Sequence, residues 1–454
     1  MRDVYMMNYS VKGIKSIDEL ITLSFYKKTI GKEMNIQGYN VKGIYGMNGS
    51  GKSGIMTSVD ILRNILCNSG YLNNPIVQRQ LDAIINKKLN ELYIECDYVS
   101  DNLGMLMLFR YELTLAKDIA GKYVISHEKL SSKNAASKSD TLYKIIEVVD
   151  GKIVYLDSDD IFSIKEKMMN LLSTSSMCAL FYEKVMLPMF NGREKGVNKF
   201  FFDLATLWIF SKKIHVYMDE SDSHKTYFLR NTFEHLELSD VRDDSEMDDF
   251  WFELYGMQDS FMDAISIDDN IVDKDDYDSF VEIVDELYNF ISIFKKDLKY
   301  IEIDKKEDKE FYVCNLNMVY DDYKINTEFE STGIKKLIKL FVYIKEMVNG
   351  GIVFIDEFDS NLHDVYLCAL LEYLMAYGKG QLCFTTHNVG PMDILKQSKK
   401  SIDFLSNDQK IYPWTTNGNY SPSKLYRNGM IEGSPFNVDS IDFISAFGAS
   451  EEDE

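Results

Sequence analysis

With 454 residues, 45% of them hydrophobic, the chain can bury one large core and still carry an insertion. Its 72 acidic against 50 basic residues give a net charge of −22, which excludes a chain-wide positive field for wrapping nucleic acid. The opening Met-Arg-Asp-Val-Tyr lacks a signal-peptide core and no apolar stretch approaches bilayer length, so neither secretion nor a membrane span is expected.

Near the start, Lys12, Lys15, Lys27, Lys28 and Lys32 read as a solvated basic face. Residues 41–45 have strand composition, and residues 53–66 place Ile55, Val59, Leu62 and Leu66 at helical spacing. Between them runs Gly46-Met-Asn-Gly-Ser-Gly-Lys-Ser53, followed by Gly54. Its glycines, including Gly49 and Gly51, let backbone N–H groups around Asn48 and Ser50 curl about an anion at the positive end of the helix. In such a loop Lys52 reaches the β- and γ-phosphates of a nucleotide, and the Ser53 hydroxyl ligates Mg²⁺.

The middle of the chain carries less chemistry. Residues 131–140 are polar and loop-like, while 161–187 and 198–210 read as helices punctuated by Pro188 and Gly192. Residues 240–249 and 268–278 are strongly acidic, interrupted by Phe250-Trp-Phe252, and 280–294 reads as an amphipathic helix. No heptad persists, so a long coiled-coil arm is not expected. The acidic clusters lack the glycine turn and terminal glutamate of a calcium loop, leaving a solvated face or a docking surface for a basic partner. Six scattered cysteines without a Cys-x-x-Cys pair read as reduced core residues of a cytoplasmic protein.

The last third returns to the site. Residues 329–341 put Ser331 and Gly333 at the entry to a helix bearing Lys335, Lys336 and Lys339. Ser331 can cap that helix, whose N-terminus is a second anion site, and the lysines read as solvated. Far from Ser53 in sequence, Gly351-Ile-Val-Phe-Ile-Asp-Glu357 is a buried strand ending in two carboxylates. Asp356 then stands at a sheet edge where it can hold the Mg²⁺ shell, and Glu357 can orient or deprotonate water. Successive strand residues face opposite sides, so Glu357 has to sit where strand gives way to loop. Residues 381–384 form a further strand that delivers His387 to the same edge, with a helix over 365–377 between the two. Residues 401–405 read as a sheet-edge strand. The short stretch after His387 is too small for a metal-dependent nuclease domain, so any effector activity is expected on another polypeptide.

Together these residues resemble the ATP-binding-cassette (ABC) ATPases that are not transporters, an SMC-like class. The likeness is greatest to the bacterial branch holding the overcoming-lysogenization-defect ATPases and the ATPase subunits of anti-phage defence systems. It rests on a Walker A loop at 46–53, a degenerate signature Glu330-Ser-Thr-Gly333 and a Walker B strand at 351–357. Asp359-Ser-Asn-Leu-His363 looks like the D-loop and Thr386-His-Asn388 like the switch histidine. Residues 11–20 look like the opening strand, and Tyr111-Glu-Leu113 and His127-Glu-Lys-Leu130 like the hairpins after the first helix.

The resemblance covers residues 1–135 and 300–436. It implies an α/β fold, an ABC-type head with a mixed central sheet, flanking helices and an antiparallel β subdomain. The head is expected to divide into 1–140 and 300–454 around a mainly helical, acidic insertion at 141–299. ATP and Mg²⁺ are the implied cofactors, Glu357 and His387 the catalytic residues, and Ser53 and Asp356 the metal ligands. Asp359 is implied to bind nucleotide, and Ser331 and Gly333 to act on it across a head-to-tail dimer. No glutamine takes the family's Q-loop place, since Gln78 and Gln80 fit a helix start equally well. Three functions stay open: an ATPase that senses or regulates for a separate nuclease or toxin in anti-phage defence, a DNA-repair ATPase clamping DNA directly, or a module that binds ATP with negligible turnover. The acidic balance speaks against the second.

Overall fold

The apolar run Val41–Gly46 is buried along its whole length, as a strand inside a parallel sheet must be. The computed structural model describes residues 3–31, 34–102, 105–157, 168, 171–190, 199–218, 227–228, 265–309, 311–415 and 420–435. Lys32, the acidic run 240–249, Phe250-Trp-Phe252, most of 161–170 and the acidic tail lie outside them.

The neighbours of Val41–Gly46 come from the far end of the chain. Gln381–Thr385 pairs on one side and Ile402–Leu405 on the other, both parallel. Across the sheet the order is Ile411–Pro413, Ile402–Leu405, Val41–Gly46, Gln381–Thr385, Ile352–Ile355 and Ile214–Tyr217. Ile402–Leu405 was expected at the edge, but Ile411–Pro413 pairs antiparallel outside it. The register sets Ile355 opposite both Phe384 and Tyr217, so these strands finish at one level. Long-range ties hold the centre. Lys42 Nζ and Asp403 Oδ2 stand 2.6 Å apart with side chains only 1% and 2% exposed. The Gln381 side chain accepts from Met6 N (2.7 Å) and donates to Met6 O (2.9 Å).

The helix Lys52–Cys67 follows the phosphate loop with Ile55, Val59, Leu62 and Leu66 buried, as their spacing requires. It packs in one core with Tyr9, Ile94 and Phe354, between the central sheet and a second one. That second sheet is seven-stranded and wholly antiparallel, in the order Ile21–Ser24, Val4–Lys12, Glu91–Asn102, Met105–Lys117, Tyr123–Asn134, Tyr143–Val149, Lys152–Leu156. On the opposite face of the central sheet, Leu340 and Met347 of helix Thr332–Val348 pack with Leu367, Leu371 and Leu374 of helix Asp364–Tyr377. A third core joins helix Tyr277–Phe294 and the first half of Thr332–Val348 to a smaller sheet around Phe311–Val319.

The result is a mixed α/β architecture of three sheets among the described residues, and it redraws the middle of the chain. Strand Tyr123–Asn134 runs into the stretch expected as a loop, and residues 143–156 add two strands to the antiparallel sheet. Ile214–Tyr217 enters the central sheet itself, beside Ile352–Ile355. Residues 141–299 are therefore not a separate helical insertion in their described part: strands from this stretch enter all three sheets. No helix among the described residues is long and apolar enough to cross a membrane.

One buried acid links the layers. The Glu128 carboxylate accepts from the Tyr111 hydroxyl (2.7 Å) and from Met177 N (2.9 Å), the first residue of helix Met177–Phe181. Burial pushes its carboxyl up to about 7 from the usual 4.5. A folded value above the unfolded one gives stability that is complete at low pH and lost as pH rises from 4.5 through about 7. The loss amounts to about 3 kcal/mol. Urea titrations across that range should show it, and Glu128→Gln should remove the Glu128-dependent slope.

Candidate functional site

The loop between Val41–Gly46 and Lys52–Cys67 closes tightly. Gly51, the residue before the helix, has φ +110°, and a Cβ there would stand 2.9 Å from Ile17 Cγ1, so only glycine fits without displacement. Lys52 Nζ turns back onto the loop and donates to Gly46 O (2.8 Å) and Met47 O (3.0 Å). Ser50 Oγ is buried without a hydrogen-bond partner. A buried hydroxyl left unpaired beside a helix N-terminus suits an anionic ligand that can satisfy it.

The acidic segment arrives at the same edge. Asp356 N donates to Tyr217 O of the neighbouring strand (2.9 Å), which leaves the buried Asp356 side chain at the strand's end. Thr385 then joins three groups through one residue. Its hydroxyl donates to Asp356 Oδ1 and accepts from Glu357 N (2.8 Å), while its carbonyl accepts from Phe358 N (3.0 Å). Glu357 itself adopts φ +47°, unusual for a residue with a Cβ, and its carbonyl accepts from Ser360 N (3.0 Å). The expected transition from strand to loop occurs there. His387 follows two residues after Thr385 and is exposed, and the next side chain, Asn388, donates to Asp364 Oδ1 (2.8 Å).

These pieces bound one cleft of about 220 Å³. Asn48, Gly49, Gly51, Lys52, Ser53 and Gly54 line one side; Glu357, Thr385 and His387 line the other. Lys15 and Ser16 complete it from the turn after the first strand. Lys15 is thus part of the cleft wall, not simply part of a solvated face. Gly46, Ser50 and Asp356 lie behind the lining. Asp359 is not on the wall either, but its charge is felt at Lys52 and His387.

Ser331 and Gly333 do not join this cleft. Ser331 caps helix Thr332–Val348 by accepting from Ile334 N (3.4 Å), and it faces solvent. Gly333 meets the 359–363 segment: a Cβ there would lie 2.8 Å from Asn361 O. Lys336 corrects another expectation, being 3% exposed instead of solvated. Gln78 is engaged structurally: its amide donates to Leu72 O (2.8 Å) and Tyr123 O (2.9 Å) and accepts from Tyr123 N (2.8 Å). The cleft residues missed in sequence are Ser16 and Thr385. Thr385 alone carried a signal, a hydroxyl residue closing the strand that leads to His387.

Burial holds the Lys52 ammonium below its usual range, with Asp356, Glu357 and Asp359 drawing it back up. Partial desolvation where it meets the cleft likewise holds the otherwise exposed His387 imidazole below its usual range, helped by the Lys52 charge and opposed by the same three carboxylates. The histidine is therefore neutral at neutral pH. No group of three His, Cys, Asp or Glu among the described residues could hold a metal by itself. Ser53 on the cleft wall and Asp356 behind it carry oxygen donors of the kind a hard divalent ion takes.

No protein-family model matches the chain, and no curated protein matches it either. Among solved structures, the SMC head domain from Thermotoga maritima is similar over 91% of this chain and 100% of its own, at 14% identity and a TM-score of 0.33.

Thr385→Val keeps the shape of the strand end but leaves Asp356 and Glu357 N without their shared hydroxyl. It should lower stability by about 1–3 kcal/mol, read from the urea midpoint.

Proposed function

We propose that this chain binds and hydrolyses ATP as an ABC-type ATPase head. The observation that carries the proposal is the single cleft in which Lys52 and Ser53 face Glu357, Thr385 and His387 from the far end of the chain. Lys15 and Lys52 bring positive charge to the phosphates, and the loop amides supply directional donors. Ser53 and Asp356 would hold Mg²⁺, which neutralises charge on the phosphate oxygens when bound. Glu357 orients or deprotonates the attacking water, and the neutral His387 donates one hydrogen bond toward the terminal phosphate.

The cleft offers few groups to the outer side of a triphosphate. Ser331 and Gly333 stand at a helix N-terminus that faces solvent, away from their own cleft, and this supports closure by a second copy arranged head to tail. ATP then favours the closed pair by the contacts it adds there, and hydrolysis releases it. Coupling to a separate effector such as a nuclease or toxin, in a sensing or defence role inside the cell, rests on the resemblance of the motifs alone.

Lys52→Ala should abolish binding of a fluorescent ATP analogue, whereas Glu357→Gln should bind normally and remain associated. Sedimentation velocity with and without Mg-ATP reads both; identical assembly in every sample sinks the proposal. Because the neutral ring is the working form and its ionisation is depressed, the acid-side decline in turnover should lie at lower pH than a free imidazole titrates. His387→Asn should lose the decline together with most of the turnover.

A further inference from the structure

Lys336 lies five residues into the segment that begins at Ser331, yet its side chain is almost wholly buried. Its Nζ donates to Glu357 O (3.5 Å) and stands 4.3 Å from the centroid of the Tyr217 ring. Tyr217 O in turn accepts from Asp356 N (2.9 Å), and the Tyr217 ring meets Tyr343 of the same helix edge-on at 5.3 Å. One ammonium therefore touches the backbone of one carboxylate residue and the strand that holds the other.

Burying an ammonium costs far more than burying a methionine of similar length, so packing alone does not account for a lysine here. What the charge does is local. Glu357 adopts φ +47° and is held from both sides of its peptide: Thr385 takes its N–H, while Ser360 N and Lys336 Nζ take its carbonyl. Strained conformations of this kind persist only where their surroundings over-determine them. The helix that carries Lys336 is capped by Ser331 and approaches Asn361 through Gly333.

We propose that Lys336 is a positioning residue for hydrolysis: it fixes the peptide of Glu357 and so ties the aim of that carboxylate to the setting of the Ser331–Gly333 helix end. The inference rests on the hydrolysis proposed above. A second copy engaging Ser331 and Gly333 then shifts Glu357 in the engaged chain's own cleft, so that each head senses closure through its own Lys336.

The test uses the purified full chain, with steady-state Mg-ATP turnover and binding of a fluorescent ATP analogue measured side by side. Lys336→Met should lower kcat by about tenfold or more while nucleotide Kd stays within about threefold, and Lys336→Arg should recover most of the loss. A wild-type kcat in Lys336→Met overturns the inference. So does a joint loss of kcat and affinity with Arg no better than Met, which marks a purely structural lysine. Should Lys336→Met fail to fold, Tyr217→Leu takes its place, because it removes the ring beneath the ammonium: a reduced kcat at unchanged Kd supports the inference, and an unchanged kcat overturns it. Absence of turnover in the unaltered chain removes the hydrolysis proposal itself, and the role of Lys336 with it.

Discussion

The pairing of Val41–Gly46 with Gln381–Thr385 and Ile402–Leu405 is the contact on which the rest of the molecule depends. Without it the phosphate loop and the two carboxylates belong to separate pieces of chain. The register of these strands, not their mere adjacency, brings the loop, Asp356 and Thr385 to one edge. The Lys42–Asp403 pair lies in the middle of that register. Breaking one partner of a buried pair leaves an uncompensated charge, so the pair penalises a slipped alignment even where it adds little net stability. The two hydrogen bonds between Gln381 and Met6 extend the same logic to the antiparallel sheet.

Around that edge the electrostatics are balanced within a few residues. The chain carries a large negative excess, yet its cleft sets Lys15 and Lys52 against Glu357, with Asp356 and Asp359 close behind. Lys52 meanwhile satisfies itself on two loop carbonyls. A ligand must offer more than those carbonyls do, which favours multiply charged phosphates over weak anions. The strained Glu357 peptide shows the same economy, since each of its hydrogen-bonding groups is taken by a residue from a different element.

What could be read from sequence followed the strength of local chemistry. The phosphate loop, the strand ending in Asp356-Glu357 and the helix entry at Ser331 each combine an apolar pattern with residues suited to one conformation, and each is an element boundary in the structure. In the middle the helices Lys199–Lys213 and Tyr277–Phe294 were legible, but the strands were missed because they are short or irregularly buried and are recruited by edges elsewhere: Ile214–Tyr217 carries no signal that it will pair with Ile352–Ile355. Lys336 was misread for a related reason, whereas Lys15 is exposed as expected and also lines the cleft. A lysine's surroundings are set by tertiary packing, and charge clustering in sequence says only that a solvated face is the common outcome.

The far-flung partners of Val41–Gly46 also bear on how the protein is made. At about 5–20 residues per second, roughly 20–70 s separate synthesis of this strand from that of Leu405. For most of that interval an apolar strand lacks both of its neighbours on the ribosome, while the antiparallel hairpins nearby can already form from local contacts. Such high contact order predicts slow, late consolidation of the central sheet and a nascent chain exposed to mispairing, so the cell must shelter this segment before the cleft can exist.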